Sequence, residues 1–267
     1  MEKLALLAGS TNFPILFARM ARKKSPATKI IALGLKNFTK QELSAYVDTI
    51  HWVDIERIEE VFNILERERP THAAIVGKID KTIIYKFTKN KQIASFMEKL
   101  ADRKDLSILT GLADRLRKLD IKLINSTTFL EDFLAKKGPL SKTQPTSQQL
   151  EDIKFGLSIA KKIAGLDIGQ TIAIKQKAII AIEAIEGTDD TIRRAGRLAG
   201  GSCVIIKMAR PRQDMKLDVP VIGTDTIDSL IDANAACLAV EAGKVLMIDK
   251  DELINKADSK GISIMGV

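Results

Sequence analysis

Short apolar runs alternate with amphipathic stretches along the first half of the chain. The runs "KLALLAG", "KIIALGL", "HWVDI" and "HAAIVGKID" have the length and the apolar content of buried strands. The stretches between them, such as "RIEEVFNILERERP", have the period of helices, and a further helix is expected over residues 91–101. Since strands that alternate with helices usually pair in parallel, the pattern predicts a Rossmann-like α/β domain with a doubly wound, mainly parallel sheet.

The second half of the chain repeats this mixture of strands and helices in a less regular order. It opens with a helical stretch, "LEDIKFGLSIAKKIAGL", and the strand-like runs "QTIAIKQ", "KAIIAIEAI" and "SCVIIKMA" follow directly. Shorter strands at "PVIG", "CLAVEAG", "KVLMID" and "ISIMGV" are separated by two further helices. The pattern predicts a second α/β domain with a mixed sheet.

A polar segment separates the two halves. Residues 135–149, "AKKGPLSKTQPTSQQ", have no apolar period and are rich in Gly, Pro, Ser, Thr and Gln. They are expected to form a mobile linker. The expected organisation is therefore an N-terminal domain over residues 1–134, a linker over residues 135–149 and a C-terminal catalytic domain over residues 150–267.

Length, composition and charge agree with two folded domains that bind anions. The chain has 267 residues, above the roughly 100–200 residues of one domain. Its net charge of +8 favours phosphorylated metabolites, anionic lipids or nucleic acid, but aromatic residues are only 4% of the chain, so nucleic acid is not an expected partner. No apolar run reaches the roughly 18 residues needed to cross a membrane.

Cysteine and histidine are scarce. Cys203 and Cys237 lie far apart in apolar runs, so core positions in a reducing cytoplasm are expected for both. The chain has only two histidines, so a zinc site or a catalytic triad with histidine is not expected. A catalytic metal would need oxygen ligands, which favours magnesium or manganese.

The segment "EGTDDTIRRAG" follows an apolar strand and begins with a carboxylate, Glu186. Ligands of open α/β sheets bind at the carboxyl ends of strands, where the next helix presents free N–H groups. Gly187 and Thr188 are therefore expected to contact a phosphate or a hydrated metal. A structural explanation remains open, in which Thr188 or Asp189 is the N-cap of the helix.

Arginines in the same segment also have two explanations. Asp189 with Arg193 and Asp190 with Arg194 have the spacing of i,i+4 ion pairs, which contribute only a few tenths of a kcal/mol. Basic residues in a first helical turn oppose the helix dipole, and this favours a role for the arginines in binding a ligand.

A second cluster lies in "KMARPRQDMKLDVPVIG". Lys207, Arg210, Arg212 and Lys216 surround Gln213, Asp214 and Asp218 in sequence. Cations can offset the charge of a diphosphate, and carboxylates can ligate magnesium or orient water. The alternative is a solvated hairpin with internal salt bridges.

Two shorter stretches are weaker indications of a site. The first turn, "AGS", includes Gly9 and Ser10 but has one glycine where a dinucleotide fingerprint needs three, so it is either a substrate contact or a tight turn. The stretch "DIGQ" ends at Gln170 and is either a contact or the end of a helix.

Several motifs together resemble the UDP-2,3-diacylglucosamine pyrophosphatase family of the LpxI type. They are "AGSTNFP", "KKGPLSKTQPT", "DIKFGLSIAKKIAGLDIGQ", "AIEAIEGTDDTIRRAG", "KMARPRQDMKLDVPVIGTDTI" and "AVEAG". The resemblance covers the whole chain and is most specific in the second half. It implies two α/β domains, with the substrate between them, and magnesium-dependent hydrolysis of UDP-2,3-diacylglucosamine to UMP and 2,3-diacylglucosamine 1-phosphate (lipid X) in lipid A biosynthesis.

The resemblance also implies roles for particular residues. The family's catalytic aspartate corresponds to Asp214, with Asp218 as the other position. The other expected roles follow from the residue pattern described above, and the expected metal ligands are Glu186, Asp189 and Asp214. The expected substrate and phosphate contacts are Gly9, Ser10, Gln170, Gly187, Thr188, Arg193, Arg194, Lys207, Arg212 and Gln213.

The expected setting is a cytoplasmic enzyme, with peripheral contact to the inner membrane and a homodimer as further expectations. Two alternatives stay open at this point: another enzyme acting on a nucleotide-sugar diphosphate, and a non-enzymatic basic module that binds lipid.

Overall fold

The described residues form two units that do not follow the chain in simple order. The structure, a computed structural model, describes residues 1–78, 90–98 and 105–267. The first unit contains Met1–Glu131 together with Asp214–Asp218, and the second contains Asp132–Gln213 and Val219–Val267. The chain thus leaves the second unit after Gln213 and returns to it at Val219.

The first unit has a parallel sheet with helices between its strands. Its strands are Lys3–Ala8 (β1), Lys29–Leu35 (β2), Thr49–Val53 (β3), His72–Val76 (β4) and Lys122–Leu123 (β5). Its helices are Phe13–Lys24 (α1), Ile58–Glu68 (α2), Lys91–Glu98 (α3) and Asp105–Lys118 (α4). The strand order is β3-β2-β1-β4-β5, and all described pairs are parallel. This confirms the Rossmann-like prediction.

The interior of the first unit explains why these runs form strands. Leu4, Ala5 and Leu6 of the central strand β1 are fully buried, since helices cover both faces of such a sheet. At the end of β1, a Cβ added to Gly9 would lie 2.6 Å from the carbonyl oxygen of Lys78. Glycine therefore allows the backbones that follow β1 and β4 to meet.

The connection between β2 and β3 is only briefly helical. Residues Gln41–Tyr46 form a 3-10 helix, and Lys40 rather than Thr39 is its N-cap residue. The Thr39 hydroxyl instead donates to the carbonyl oxygen of Ala8, 2.6 Å away, and accepts from the N–H of Leu35. The expected helix over residues 91–101 is described as far as Glu98, and the rest lies outside the described residues.

The second unit has a mixed sheet, as predicted. Its strands are Gly138–Pro139 (β6), Thr171–Lys175 (β7), Ala178–Ile182 (β8), Val204–Lys207 (β9), Val221–Ile222 (β10), Cys237–Val240 (β11), Leu246–Met247 (β12) and Ser263–Gly266 (β13). Its helices are Ser147–Gly165 (α5), Thr188–Ala199 (α6), Thr224–Asp232 (α7) and Lys250–Ser259 (α8). The six-stranded sheet has the order β6-β13-β11-β9-β7-β8, and β10 pairs with β12 separately.

Strand direction brings several chain segments to one edge of this sheet. Strands β9, β11 and β13 are parallel, whereas β7 runs antiparallel to both β8 and β9. The first residue of β7, Thr171, therefore lies opposite the last residue of β9, Lys207. The end of β8 and the first turn of α6 reach the same edge.

The segment expected to be a mobile linker belongs to the second unit in the structure. Ala135 is buried and its N–H donates to the carbonyl oxygen of Val245, 2.9 Å away. Strand β6 pairs with β13, and Ser141 Oγ accepts the N–H of Ile264 at 2.7 Å. The capped start of α5 at Ser147 also falls inside the expected linker. These contacts differ from the expectation of a free linker.

Both cysteines are fully buried, as their apolar neighbours in sequence predicted. Burial raises the pKa of the Cys203 thiol. Burial also raises the pKa of the Cys237 thiol to about 11. Neither thiol has the lowered pKa of a reactive nucleophile.

Helix length and polarity bear on membrane insertion. No helix in the described part of the chain is long and apolar enough to cross a bilayer. The 19-residue α5, for example, includes the charged residues Asp152 and Lys162.

The hairpin between β7 and β8 depends on a buried carboxylate on α5. Asp152 is only 3% exposed, and its two oxygens accept the N–H groups of Gln176 and Lys177 at 2.9 and 2.8 Å. Both turn residues have positive φ, 50° and 59°, a backbone conformation that is unfavourable for residues other than glycine. The two hydrogen bonds therefore help to hold a disfavoured turn.

Replacement of Asp152 by alanine should lower the free energy of unfolding by about 1–2 kcal/mol, because two charge-assisted hydrogen bonds are lost and water replaces them only in part. Urea unfolding followed by circular dichroism measures the change. The neighbouring Glu151→Ala is the control, since its exposed ion pair with Lys177 should contribute little. Equal effects of the two variants would contradict this assignment.

Candidate functional site

A connected set of polar side chains lies at the edge of the second unit's sheet where β8 and β9 end. Glu183 directly follows β8 and is 8% exposed, and Lys207 ends β9 and is 7% exposed. Thr188, the first residue of α6, joins them: its hydroxyl donates to Glu183 Oε1 at 3.2 Å and accepts from Lys207 Nζ at 2.7 Å. A buried carboxyl group and a buried lysine thus share one hydroxyl.

The start of β7 completes this network. The N–H of Gln170 donates to Glu183 Oε2 at 3.1 Å, and the N–H of Glu183 donates to the carbonyl oxygen of Thr171 at 2.8 Å. The hydroxyls of Thr171 and Thr188 lie 3.3 Å apart. We call these five residues, Gln170, Thr171, Glu183, Thr188 and Lys207, the edge network.

Glu186 has internal partners in the turn before α6. Its Oε1 accepts from Arg194 at 2.6 Å and from the Thr191 hydroxyl at 3.2 Å, and its Oε2 accepts the N–H of Ala184 at 3.1 Å. Partial burial raises the pKa of Glu186, but hydrogen bonds from its own N–H and from these three residues outweigh burial and hold the pKa below its usual value. Both oxygens therefore stabilise the turn.

The arginines of α6 pair differently from the expected i,i+4 pattern. Arg194 contacts Glu186 and also donates to the carbonyl oxygen of Ile182 at 2.9 Å. Arg193 pairs with Asp190 at 3.2 Å and with Asp232 of α7 at 3.1 Å. The expected pairs Asp189–Arg193 and Asp190–Arg194 are replaced because each arginine reaches an acceptor outside α6.

Gly187 gives the turn its shape. Its φ of 83° lies in the region that favours glycine, and its carbonyl oxygen accepts the N–H of Thr191. The single hydroxyl proton of Thr191 is shared between this carbonyl oxygen, at 2.8 Å, and Glu186 Oε1. Gly187, rather than Thr188 or Asp189, is the N-cap residue.

Arg210 and Gln213 order the start of the basic loop. Arg210 Nε donates to Asp167 Oδ1 at 2.6 Å in an ion pair that is mostly shielded from solvent. Gln213 Oε1 accepts the N–H of Arg210 at 2.9 Å. Arg212, between them in sequence, is exposed.

The two candidate aspartates lie in a tight turn that belongs to the first unit. Asp214 is exposed, its Oδ1 accepts the N–H of Lys216 at 2.9 Å, and its carbonyl oxygen accepts the N–H of Asp218 at 3.1 Å. The carbonyl oxygen of Met215 accepts the N–H of Ser126 at 2.9 Å. Asp214 therefore closes its own turn as well as presenting a carboxylate.

The first turn, after β1, closes on the backbone that follows β4. Ser10 N–H and Oγ both donate to the carbonyl oxygen of Lys78 at 2.8 Å. The N–H of Gly9 donates to the carbonyl oxygen of Val76. Both residues thus have clear structural contacts.

The expected site residues are divided between the two units. Gly9, Ser10, Asp214 and Asp218 belong to the first unit and the others to the second. Of the latter, hydrogen bonds join Gln170, Thr188 and Lys207, all through Thr188 or Glu183. Glu183 itself was not among the expected site residues.

Magnesium is the expected metal, and the expected carboxylate ligands can be compared with the ligands that it prefers. In the described part of the chain, no three His, Cys, Asp or Glu side chains form a group that could hold a metal. Glu186, Asp189 and Asp214 therefore do not form a preassembled ligand set, and Glu186 is occupied by its own turn. Magnesium is commonly held by one or two carboxylates together with substrate phosphates, so Asp189 and Asp214 each remain donors of a suitable kind.

Comparisons with known proteins assign both halves of the chain to the same family. Residues 3–133 match the LpxI N-terminal domain and residues 136–265 match the LpxI C-terminal domain. The chain is 26% identical over 278 residues to the UDP-2,3-diacylglucosamine pyrophosphatase LpxI of Caulobacter vibrioides, and the match covers 100% of this chain and 98% of that protein.

A solved structure gives a much weaker match. The biotin carboxylase domain of Hydrogenobacter thermophilus 2-oxoglutarate carboxylase is 11% identical, with 74% of this chain and 41% of that chain covered and a TM-score of 0.25. A likeness at this level supports no argument about this chain.

Proposed function

The chain belongs to the LpxI family, and we propose on that basis that it hydrolyses the diphosphate bond of UDP-2,3-diacylglucosamine to UMP and 2,3-diacylglucosamine 1-phosphate. The observation that carries the proposal is the match of both LpxI domains in order, together with a whole-length relative named for this activity. The reaction places the chain in lipid A biosynthesis.

The edge network supplies chemistry that suits a diphosphate substrate. Lys207 carries an ammonium charge at the end of a strand, where ligands of α/β sheets bind. In this proposal it offsets phosphate charge while Thr188 accepts a hydrogen bond from its ammonium group, and the N–H groups of the first turn of α6 assist. Arg212, exposed in the basic loop, is a second cation for the same substrate.

Asp214 is proposed to accept a proton from the attacking water. Its carboxylate is exposed, and only Oδ1 has a hydrogen bond inside the turn, from Lys216. Asp218 follows in the same turn and is the comparison residue. A carboxylate held by its turn is well placed to orient a water molecule.

Magnesium dependence is also part of the proposal. Asp189 and Asp214 are each proposed as a carboxylate ligand of the ion, with phosphate oxygens as further ligands. When bound, magnesium would neutralise phosphate charge and acidify water.

The test is incubation of the purified chain with UDP-2,3-diacylglucosamine, with magnesium or with a chelator, scored for UMP. Release of UMP that needs magnesium is the expected result. No UMP under either condition would refute the hydrolase. Release of free UDP would identify a different enzyme on a nucleotide-sugar diphosphate, and lipid binding without turnover would identify a binding module.

Water is expected to attack the phosphorus nearer the sugar, as the family resemblance implies. Hydrolysis in oxygen-18 water should therefore place the label in 2,3-diacylglucosamine 1-phosphate. Mass spectrometry of both products measures this. Label in UMP would place the attacking water on the uridine side instead.

The proposed setting is the cytoplasm, with peripheral contact at the inner membrane because the substrate carries acyl chains. The net charge of +8 favours an anionic leaflet. A homodimer remains a proposal for measurement by light scattering.

A further inference from the structure

Glu183 contacts the residues proposed to bind phosphate and has no role in the proposed reaction. Its carboxylate is 8% exposed and accepts hydrogen bonds from the Gln170 N–H and the Thr188 hydroxyl. Burying a carboxylate is unfavourable unless its charge is compensated by hydrogen bonds or by a cation. The position therefore needs an explanation that its strand alone does not give.

The hydrogen bonds of Thr188 have one consistent arrangement. A hydroxyl has one proton to donate and two lone pairs to accept with. Glu183 Oε1 is the acceptor in its hydrogen bond with the Thr188 hydroxyl, so the Thr188 proton points to Glu183. The Lys207 ammonium can only donate, so it occupies one lone pair of Thr188, and the Thr171 hydroxyl is the donor to the other. Every hydrogen-bonding position of Thr188 is then filled.

Through this arrangement, Glu183 influences the position of the Lys207 ammonium group. If Glu183 did not accept the Thr188 proton, that proton could turn toward Lys207, where it would oppose the ammonium group. The carboxylate thus keeps a lone pair of Thr188 directed at Lys207 Nζ, 2.7 Å away. This hydrogen bond helps to hold the ammonium group at the sheet edge.

We propose that Glu183 is a positioning residue that acts through the Thr188 hydroxyl to hold Lys207 against a phosphate group of the substrate. This inference rests on the proposed function, because it takes the diphosphate substrate as the ligand of Lys207. Glu183 itself touches no substrate atom. It orders a cation in advance, which lowers the entropy cost of binding.

A double-mutant cycle tests the proposal. In Glu183→Gln, the amide can accept from only one of the two donors, and its NH₂ group opposes the other. In Thr188→Val, the hydroxyl is lost and the shape is kept. Each single variant should raise KM for UDP-2,3-diacylglucosamine roughly tenfold, since each removes a charge-assisted hydrogen bond. The double variant should also show roughly a tenfold rise, because both changes break the same connection.

A matched control separates positioning from stability. Asp152 is also a buried carboxylate of the second unit that accepts two backbone N–H groups, but it lies at the turn of the β7–β8 hairpin, the end opposite to the edge network. Asp152→Asn should lower the melting temperature and leave KM unchanged. Thr188→Ser, which keeps the hydroxyl, should restore a KM near that of the wild type.

Calorimetric binding of inorganic pyrophosphate is measured in parallel, so that the result does not depend on hydrolysis. If the wild type hydrolyses the substrate but the two changes multiply to roughly a hundredfold rise in KM, Glu183 does not act through Thr188. If Glu183→Gln lowers only the melting temperature, its role is structural. If the wild type does not hydrolyse the substrate but both variants bind pyrophosphate more weakly than it does, the proposed function is refuted and the positioning role is supported. A wild type that neither hydrolyses the substrate nor binds pyrophosphate refutes both.

Discussion

Replacement of Asp214 by alanine should lower kcat for UDP-2,3-diacylglucosamine by about 10²–10⁴-fold, while KM changes far less. The proposed role is to accept a proton from water in the transition state, and this interaction is absent when the substrate merely binds. Most ground-state binding should come from uridine, the acyl chains and the basic residues, which the variant keeps. Steady-state kinetics with the purified variant gives kcat and KM separately.

The contacts of Asp214 call for a second variant. Because Asp214 Oδ1 accepts the N–H of Lys216, alanine also removes a hydrogen bond that closes the turn. Asp214→Asn keeps an oxygen acceptor for that N–H but cannot act as a base at neutral pH. Equal losses in kcat for the alanine and asparagine variants would show that the carboxylate itself is needed, for proton transfer or for holding magnesium. Near-normal turnover in Asp214→Asn would show that the turn is what matters.

Asp218→Ala supplies the comparison within the same turn. It should retain more turnover than Asp214→Ala. If Asp218→Ala is inactive and Asp214→Ala is nearly normal, Asp218 is the catalytic carboxylate. If both variants stay active, the turn is structural and the base lies elsewhere.

The architecture of the first unit could be predicted from sequence because its interactions are local and repetitive. Strands such as Lys3–Ala8 and Lys29–Leu35 are apolar on both faces, and helices separate them, so a parallel sheet is the one arrangement that buries them all. The segment Asp214–Asp218 could not be assigned in the same way. Its membership in the first unit depends on contacts such as Met215 with Ser126, which are distant in sequence.

Glu183 was missed because β8 ends earlier than its apolar pattern indicates. The run continues to Ile185, but the strand ends at Ile182 because its partner β7 begins at Thr171. The short turn at Gln176–Lys177 was the available indication in the sequence. A regular hairpin centred there places Gln170 opposite Glu183, which is enough to predict that these two residues lie close together. A bulge between Ala173 and Ile174 then shifts the register by one residue, so that Ile172 pairs with Ile182.

Apart from Asp190, which lies three residues before Arg193, the partners of Arg193 and Arg194 were not predictable from spacing within the helix. Arg193 reaches Asp232 on another helix, and Arg194 reaches back to Glu186 and to the carbonyl oxygen of Ile182. Spacing rules describe isolated helices, whereas these side chains also reach acceptors that the tertiary fold supplies.

Replacement of Gly169 by alanine should lower the free energy of unfolding by about 3 kcal/mol, at the upper end for a small-to-large change, and should raise KM as well. An added Cβ would lie 2.1 Å from the carbonyl oxygen of Glu183 and 2.8 Å from its Cβ, so the backbone that follows β8 must move. Because Glu183 then shifts relative to Thr188, the position of Lys207 is disturbed without any change of charge. Urea unfolding and steady-state kinetics measure the two effects.

Gly165→Ala is the matched control, four residues earlier in the same segment. Its added Cβ would meet only the side chain of Pro211, at 3.5 Å, which is ordinary van der Waals contact. Since alanine also favours the last turn of α5, this variant should be as stable as the wild type or slightly more stable, with KM unchanged. A Gly169→Ala protein that loses stability but keeps a normal KM would mean that substrate binding tolerates movement of Glu183, and the positioning role would then be wrong.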